Sequence, residues 1–140
     1  MRSYIILRIS GHGLNIDEIT DQLDIGPIKA QKKGDTFISR WHGGEQIIYQ
    51  EDFWISERKF IENNKLENEI ESFVMQLKSS AAYLKSLAQK HSVTVWVSSY
   101  PDGEQANVHI TSATISALSE IGATLDCSMV FLKDFYEGNY

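Results

Sequence analysis

The sequence predicts an α+β fold: a largely antiparallel sheet of about six strands with helices packed on one face. Three observations support this class. Apolar residues alternate with period two in short segments, they recur at spacings of three and four in others, and most of the strand-like segments follow one another as hairpins. No linker or low-complexity segment interrupts the chain, so residues 1–140 are predicted to form a single domain.

Strands are predicted where apolar or aromatic residues alternate. The segments are 3–10, 36–41, 46–56, 92–100, 106–110 and 124–132. Gly43-Gly44 predicts the tight turn of a hairpin between the second and third segments, and Pro101-Asp102-Gly103 a turn between the fourth and fifth. A polar loop with Lys29, Lys32, Lys33, Gly34 and Asp35 is expected after the first helix.

Helices are predicted in three regions. Asn15 is expected to cap the first one with Glu18 as its partner, and Gly26-Pro27 to end it. The second covers residues 64–91, with a break at Ser79-Ser80, and its apolar stripe is expected to pack on the sheet. In the third, the cap is Thr111 or Ser112 and the stop is Gly122. The inward residues expected there are Ile115, Leu118 and Ile121.

The sequence contains a weak internal similarity. ILRIS precedes the first helix, and the similar NVHIT precedes the third. If this similarity reflects structure, it indicates two strand-helix units and a possible pseudo-repeat.

The charge distribution argues against one class of partner. The net charge is −6, whereas nucleic-acid binding requires a positive surface. Residues 101–140 hold six acidic residues and one basic residue, which accounts for −5 of that total. This region is either a solvated face that favours solubility or an acidic surface for a basic protein partner.

The single cysteine, Cys127, allows no internal disulfide bond and is expected to be buried among apolar neighbours. The segment from Met1 to Ile9 alternates like a strand and lacks the apolar block of a signal peptide. No apolar run is long enough to span a membrane. A cytoplasmic location is therefore predicted.

Candidate binding residues concentrate in the predicted hairpin of residues 36–56. They are Trp41, His42, Glu51, Asp52 and Trp54. Exposed aromatic residues there would form a recognition patch, and a carboxylate in an aromatic-lined cleft could have a raised pKa. The alternatives are that the aromatic residues belong to the core and that the carboxylates lie on a solvated face.

No catalytic residue, metal site or cofactor is predicted. The four histidines lie in no compact ligand motif, and no serine lies in a nucleophile motif. Gly11-His12-Gly13 precedes a helix and could bind an anion, but no phosphate-loop lysine follows and nearby acids would repel phosphate. A structural turn is the favoured interpretation.

With these segments in hand, the chain resembles a bacterial family of domains of unknown function, DUF4279. The likeness is carried by LRISGHGLNIDEITDQLDIGP, the Lys33-Gly34-Asp35 step, Trp54 in FWIS, the long helical middle and SATISALSEIGATLD. The resemblance implies a small bacterial protein of mixed α and β structure and assigns no activity.

Three functions follow as hypotheses. The first is a non-enzymatic protein-binding module, similar to immunity proteins that neutralise toxins, acting on a basic partner. The second is a small-ligand-binding or enzymatic domain with a cleft at the 36–56 hairpin. The third is a self-associating structural module that shares the stripe from Leu66 to Leu87 between subunits.

Overall fold

The structure, a computed structural model, describes residues 2–39, 43–61, 65–100 and 107–130. Its elements, in chain order, are β1 (Arg2–Gly11), α1 (Ile16–Leu23), β2 (Lys29–Gln31), β3 (Thr36–Ser39), β4 (Glu45–Ile48), β5 (Asp52–Ile61), α2 (Leu66–Leu77), a 3₁₀ turn (Lys78–Ser80), α3 (Ala81–Ala88), β6 (Ser92–Ser99), α4 (Ser112–Ile121) and β7 (Thr124–Met129). The α+β class is confirmed.

The described strands form one five-stranded sheet in the order β2-β5-β1-β6-β7 and a separate two-stranded sheet of β3 and β4. Strand β1 lies at the centre and is antiparallel to both of its neighbours, so that Ile9 lies opposite Trp54 on one side and Val93 on the other. The last strand is parallel to β6, and the chain between them passes through α4. The sheet is thus mostly antiparallel, with one βαβ crossover.

The core lies on one face of the five-stranded sheet. Its sheet layer consists of the alternating residues predicted for β1 and β6: Ile5, Leu7, Ile9, Val93, Val95 and Val97. Each described α-helix contributes buried residues to the same cluster, among them Ile19 of α1, Ile70 of α2, Leu84 of α3 and Leu118 of α4. The prediction that the helices pack on one face is confirmed. The apolar stripe of the second helical region packs into the core of its own chain.

The helix ends follow the predicted capping chemistry with one exception. The backbone N–H of Glu18 donates to Asn15 Oδ1 over 3.1 Å, and Thr111 Oγ1 accepts from the N–H of Thr114 over 3.3 Å. Gly122 ends α4 in the left-handed region with φ 76°. The first helix, however, ends before Gly26-Pro27, because Asp24 already adopts a left-handed conformation with φ 53°.

The prediction that Ile115 faces inward is wrong, since 57% of this residue is exposed. The buried positions of α4 follow a spacing of three, four and seven: Thr114, Ala117, Leu118 and Ile121. The first of these buried positions is a threonine rather than an apolar residue. A prediction based on hydrophobicity therefore chose the neighbouring Ile115, and the predicted inward face was wrong by one residue.

Three strand predictions also need correction. Lys29–Gln31, expected to be a loop, pairs with β5 as an edge strand. The predicted strand over residues 46–56 is two strands, because the chain leaves the β3–β4 hairpin after Ile48 and enters the main sheet at Asp52. Residues 107–110 form no strand, so the second unit of the possible pseudo-repeat lacks the strand that precedes the first.

Within the described ranges, the helices are too short and too polar to cross a membrane.

Candidate functional site

The three predicted candidates that the structure describes lie in different surroundings at the start of β5. Trp41 and His42 lie outside the described residues. Asp52 and Trp54 are buried and point to the helix side of the sheet, where Trp54 lies opposite Ile9. Glu51 precedes the strand, is partly exposed, and lies 3.8 Å from the guanidinium of Arg8. The structure therefore does not combine these three side chains into one cleft.

Asp52 binds two turns to the sheet. Its Oδ2 accepts from the backbone N–H groups of Gly13 and Leu14, both at 3.0 Å, and its Oδ1 accepts from the N–H of Lys33 at 2.6 Å. The ammonium of Lys32 lies 3.5 Å from Oδ2 and also donates to the carbonyl of Leu14. With 5% of the residue exposed, Asp52 is a buried and satisfied carboxylate.

These contacts determine the chemistry of Asp52. The hydrogen bond from the Lys33 N–H lowers its pKa below the ordinary value, burial opposes that effect, and the Leu14 N–H, the Lys32 charge and the Gly13 N–H reinforce it. The carboxylate thus stays ionised at neutral pH, which is the opposite of the raised pKa that the hairpin cleft interpretation expected. It also occupies two N–H groups at the Gly11–Gly13 turn, in agreement with a structural turn.

Trp54 is a core residue. None of it is exposed, and its indole Nε1 donates to Thr20 Oγ1 of α1 at 3.1 Å. The indole therefore fixes α1 against β5, and its buried surface is not part of an exposed patch.

An aromatic group lies at the end of the β3–β4 hairpin. We call Phe37, Tyr49 and Phe53 the ring cluster: the first two stack with centroids 4.6 Å apart, and the last two meet edge to face at 5.1 Å. The ammonium of Lys29 on β2 lies over all three rings, at 5.9, 5.5 and 5.7 Å from their centroids. The contact of Lys29 with these rings was not predicted from the sequence, because Lys29 was expected to lie in a loop.

The sheet face opposite the helices, here the open face, carries the side chains that alternate with the core residues. Trp96 lies in the middle of β6 and is 40% exposed, between Ile6 on β1 and Asp126 on β7. Tyr4 belongs to the same face and meets Tyr100 edge to face at 6.4 Å. Trp96 was not among the predicted candidates, although the alternation that points its valine neighbours inward points it outward.

Cys127 is exposed rather than buried, which corrects the sequence prediction. It lies on the edge strand β7, where one side of the strand has no partner in the described sheet. Partial desolvation, and after it the charge of Asp126, raises the pKa of the thiol. Both effects make Cys127 a poor nucleophile at neutral pH.

The acidic segment of residues 101–140 is described only in part. Glu120 lies 3.8 Å from the ammonium of Lys78, and Asp126 is exposed beside Trp96. The other four acids (Asp102, Glu104, Asp134 and Glu137) lie outside the described residues. Where side chains are described, no group of three or more histidine, cysteine or acidic residues could hold a metal ion.

Comparison with known families identifies one match. Residues 1–132 match the family described as a domain of unknown function, DUF4279, and the chain belongs to that family. The resemblance stated from the sequence is confirmed, whereas a bacterial origin stays a prediction. No curated protein and no solved structure matches the chain.

Proposed function

We propose that this member of DUF4279 is a non-enzymatic protein-binding module that uses the open face of its sheet, with Trp96 as the central contact. The observation that carries the proposal is the position of Trp96: an indole 40% exposed in the middle of a sheet, on the side that the described helices leave free. A tryptophan in such a position leaves a large apolar area in water, and partner binding would bury it.

The surroundings of Trp96 support a protein partner. Partly exposed Ile6 and Tyr4 extend the apolar surface across β1, and Tyr100 adds a second tyrosine ring. Tryptophan and tyrosine are enriched among residues that dominate binding energy, especially at the centre of an interface surrounded by polar groups. The exposed carboxylate of Asp126 supplies such a polar group directly beside the indole.

We propose a basic protein as the partner, in the manner of an immunity protein that binds a toxin. The chain has a net charge of −6, concentrated in its last forty residues, and Asp126 belongs to that segment. Opposite charge on the partner would accelerate association and make it sensitive to salt. Asp52 already accepts hydrogen bonds from backbone N–H groups, and Glu51 is paired with Arg8. These carboxylates near the hairpin therefore support no competing catalytic role.

The experiment is affinity capture from a lysate of the source organism, with the wild-type chain and Trp96→Ala as parallel baits at low and high salt. The captured protein is then purified, and its Kd is measured for each variant. We expect a basic protein whose Kd rises roughly 30-fold for Trp96→Ala, the equivalent of about 2 kcal/mol for a central tryptophan.

The matched control is Ile115→Ala, which removes an exposed apolar side chain from α4 on the helix side. It should leave the Kd unchanged. Asp126→Asn should mainly slow association and flatten its salt dependence. Equal binding by wild type and Trp96→Ala, or capture of no basic protein by the wild type at low salt, would refute the proposal.

A further inference from the structure

The ring cluster holds a lysine in an unusual setting. The ammonium of Lys29 lies within 6 Å of three ring centroids at once, which is the range in which ring faces attract cations. Among the described side chains, no carboxylate pairs with it. Lys59 offers the contrast, since its ammonium lies over the single ring of Tyr4 at 5.8 Å and also 3.5 Å from Glu57.

The geometry points to the ring cluster as a binding site for an organic ammonium group, whose place the side chain of Lys29 takes in the free protein. The ligand class is an alkylammonium cation, such as a quaternary ammonium or the head of a lysine. This inference is independent of the proposed role of Trp96.

The cluster has the accessibility that such a site requires. Phe53 is 6% exposed and forms its base, whereas Phe37 is 37% exposed and Tyr49 is partly exposed. Lys29 is itself exposed and belongs to an edge strand of three residues. Its flexible stem can therefore leave the rings for water without breaking a described ion pair.

The neighbouring charges permit a second cation. Arg8 lies over Phe53 at 5.9 Å, but its guanidinium is 3.8 Å from the carboxylate of Glu51. That pairing offsets the positive charge of Arg8. The charge that opposes an incoming ammonium is therefore mainly that of Lys29, and its removal should open the site.

The test uses tetramethylammonium chloride as the probe, because it carries a diffuse positive charge and donates no hydrogen bonds. Binding is followed by NMR through the ring protons of Phe37 and Tyr49, with sodium chloride at equal ionic strength as the reference. Lys29→Ala should bind the probe about five- to tenfold more tightly than the wild type, since the competing cation is absent. Because Lys29 is exposed, its replacement should leave the fold intact, which circular dichroism checks.

Two further variants locate the effect. Lys59→Ala also removes a ring-bound lysine, but from a single ring, and it should bind the probe like the wild type. Lys29→Ala combined with Phe37→Leu should return affinity to the wild-type level or below, because one accessible ring is lost. The inference is overturned if Lys29→Ala gains no affinity, or if the gain persists without Phe37.

Discussion

Replacement of Asp52 by asparagine tests how strongly the buried carboxylate stabilises the fold. The change keeps the size of the side chain but leaves one acceptor oxygen where the carboxylate has two. Since Oδ2 serves Gly13 and Leu14 and Oδ1 serves Lys33, the asparagine amide must direct its own N–H₂ at one or more backbone donors. The variant therefore loses a charge-assisted bond and leaves without an acceptor either the partly buried N–H of Lys33 or the N–H groups of Gly13 and Leu14.

The magnitude follows from these contacts. A hydrogen bond to a charged group contributes about 1.5–3 kcal/mol, and an unsatisfied buried donor costs about 1–3 kcal/mol, with overlap between the two. The pair with the half-exposed Lys32 adds at most about 0.5 kcal/mol. We expect Asp52→Asn to lower the free energy of unfolding by about 2–4 kcal/mol, which corresponds to a Tm lower by roughly 6–15 °C.

The pH dependence gives a second, independent readout. The pKa of Asp52 is lowered in the folded state, first by the Lys33 N–H bond, so the unfolded chain takes up this proton more readily. The stabilisation is therefore complete above the unfolded pKa of about 4 and is lost as the pH falls through the lower folded pKa. The difference between wild type and Asp52→Asn should shrink on acidification below about pH 4.

The assay is urea unfolding of both chains at pH 7 and pH 3, monitored by tryptophan fluorescence and circular dichroism. Glu51→Gln is the matched control, because it neutralises the adjacent carboxylate, whose single described ion pair is partly solvated. That control should change stability by less than about 0.5 kcal/mol. A loss below about 1 kcal/mol for Asp52→Asn at pH 7, or a loss equally large at pH 3, would refute the reasoning.

Two further substitutions and one control test the packing of the helix layer, each by urea unfolding. Gly122→Ala requires a left-handed φ of 76° and brings a new Cβ to 2.9 Å from Cβ of Ala88, so we expect a loss of about 1–3 kcal/mol. Gly26→Ala, where nothing lies within 4 Å, should change stability by less than about 0.5 kcal/mol, and equal losses at both glycines would contradict this account. Trp54→Phe removes the bond to Thr20 and leaves unfilled core volume, which should cost about 1–3 kcal/mol; a smaller loss would mean that the indole does not fix α1.

Sequence patterns predicted the elements whose signals are local. The alternation in β1 and β6 specified both the strands and their buried face, because each strand is covered by helices on one side only. Asn15 and Glu18 specified the start of α1 through hydrogen bonds between neighbours in the chain. In such cases the residues that determine the structure lie within four positions of one another.

The remaining elements depend on contacts between distant segments. Lys29–Gln31 has no strand-like sequence and is extended because β5 offers it a free edge. The alternation of residues 46–56 does not reveal that the chain changes sheets between Ile48 and Asp52. The parallel pairing of β7 with β6 requires α4 as a crossover, and no short-range signal distinguishes that arrangement from the predicted hairpin of residues 92–100 with residues 106–110.

The candidate site shows the same division. Adjacency in the chain brought Glu51, Asp52 and Trp54 together in the prediction, but their surroundings were set by segments far away in sequence. The three N–H donors to Asp52 come from residues 19 to 39 positions away, and Lys29 reaches the ring cluster from the edge strand β2. The outward position of Trp96, by contrast, could have been predicted from the sequence, because the inward-facing residues of its strand were already assigned.

The alternation of side chains between the two faces of the sheet also makes the surface variants interpretable. Along β5, Asp52 and Trp54 face the helices and Phe53 faces the open side, so one strand carries a stabilising residue and a candidate binding residue in adjacent positions. Side chains on opposite faces of a sheet are separated by the backbone layer and share few contacts. Trp96→Ala and Lys29→Ala both act on the open side, away from the core that holds α1 to α4. Their effects on binding should therefore appear without the loss of stability expected for Asp52→Asn or Trp54→Phe, and a variant of the open side that unfolds the chain would show that the two faces are coupled.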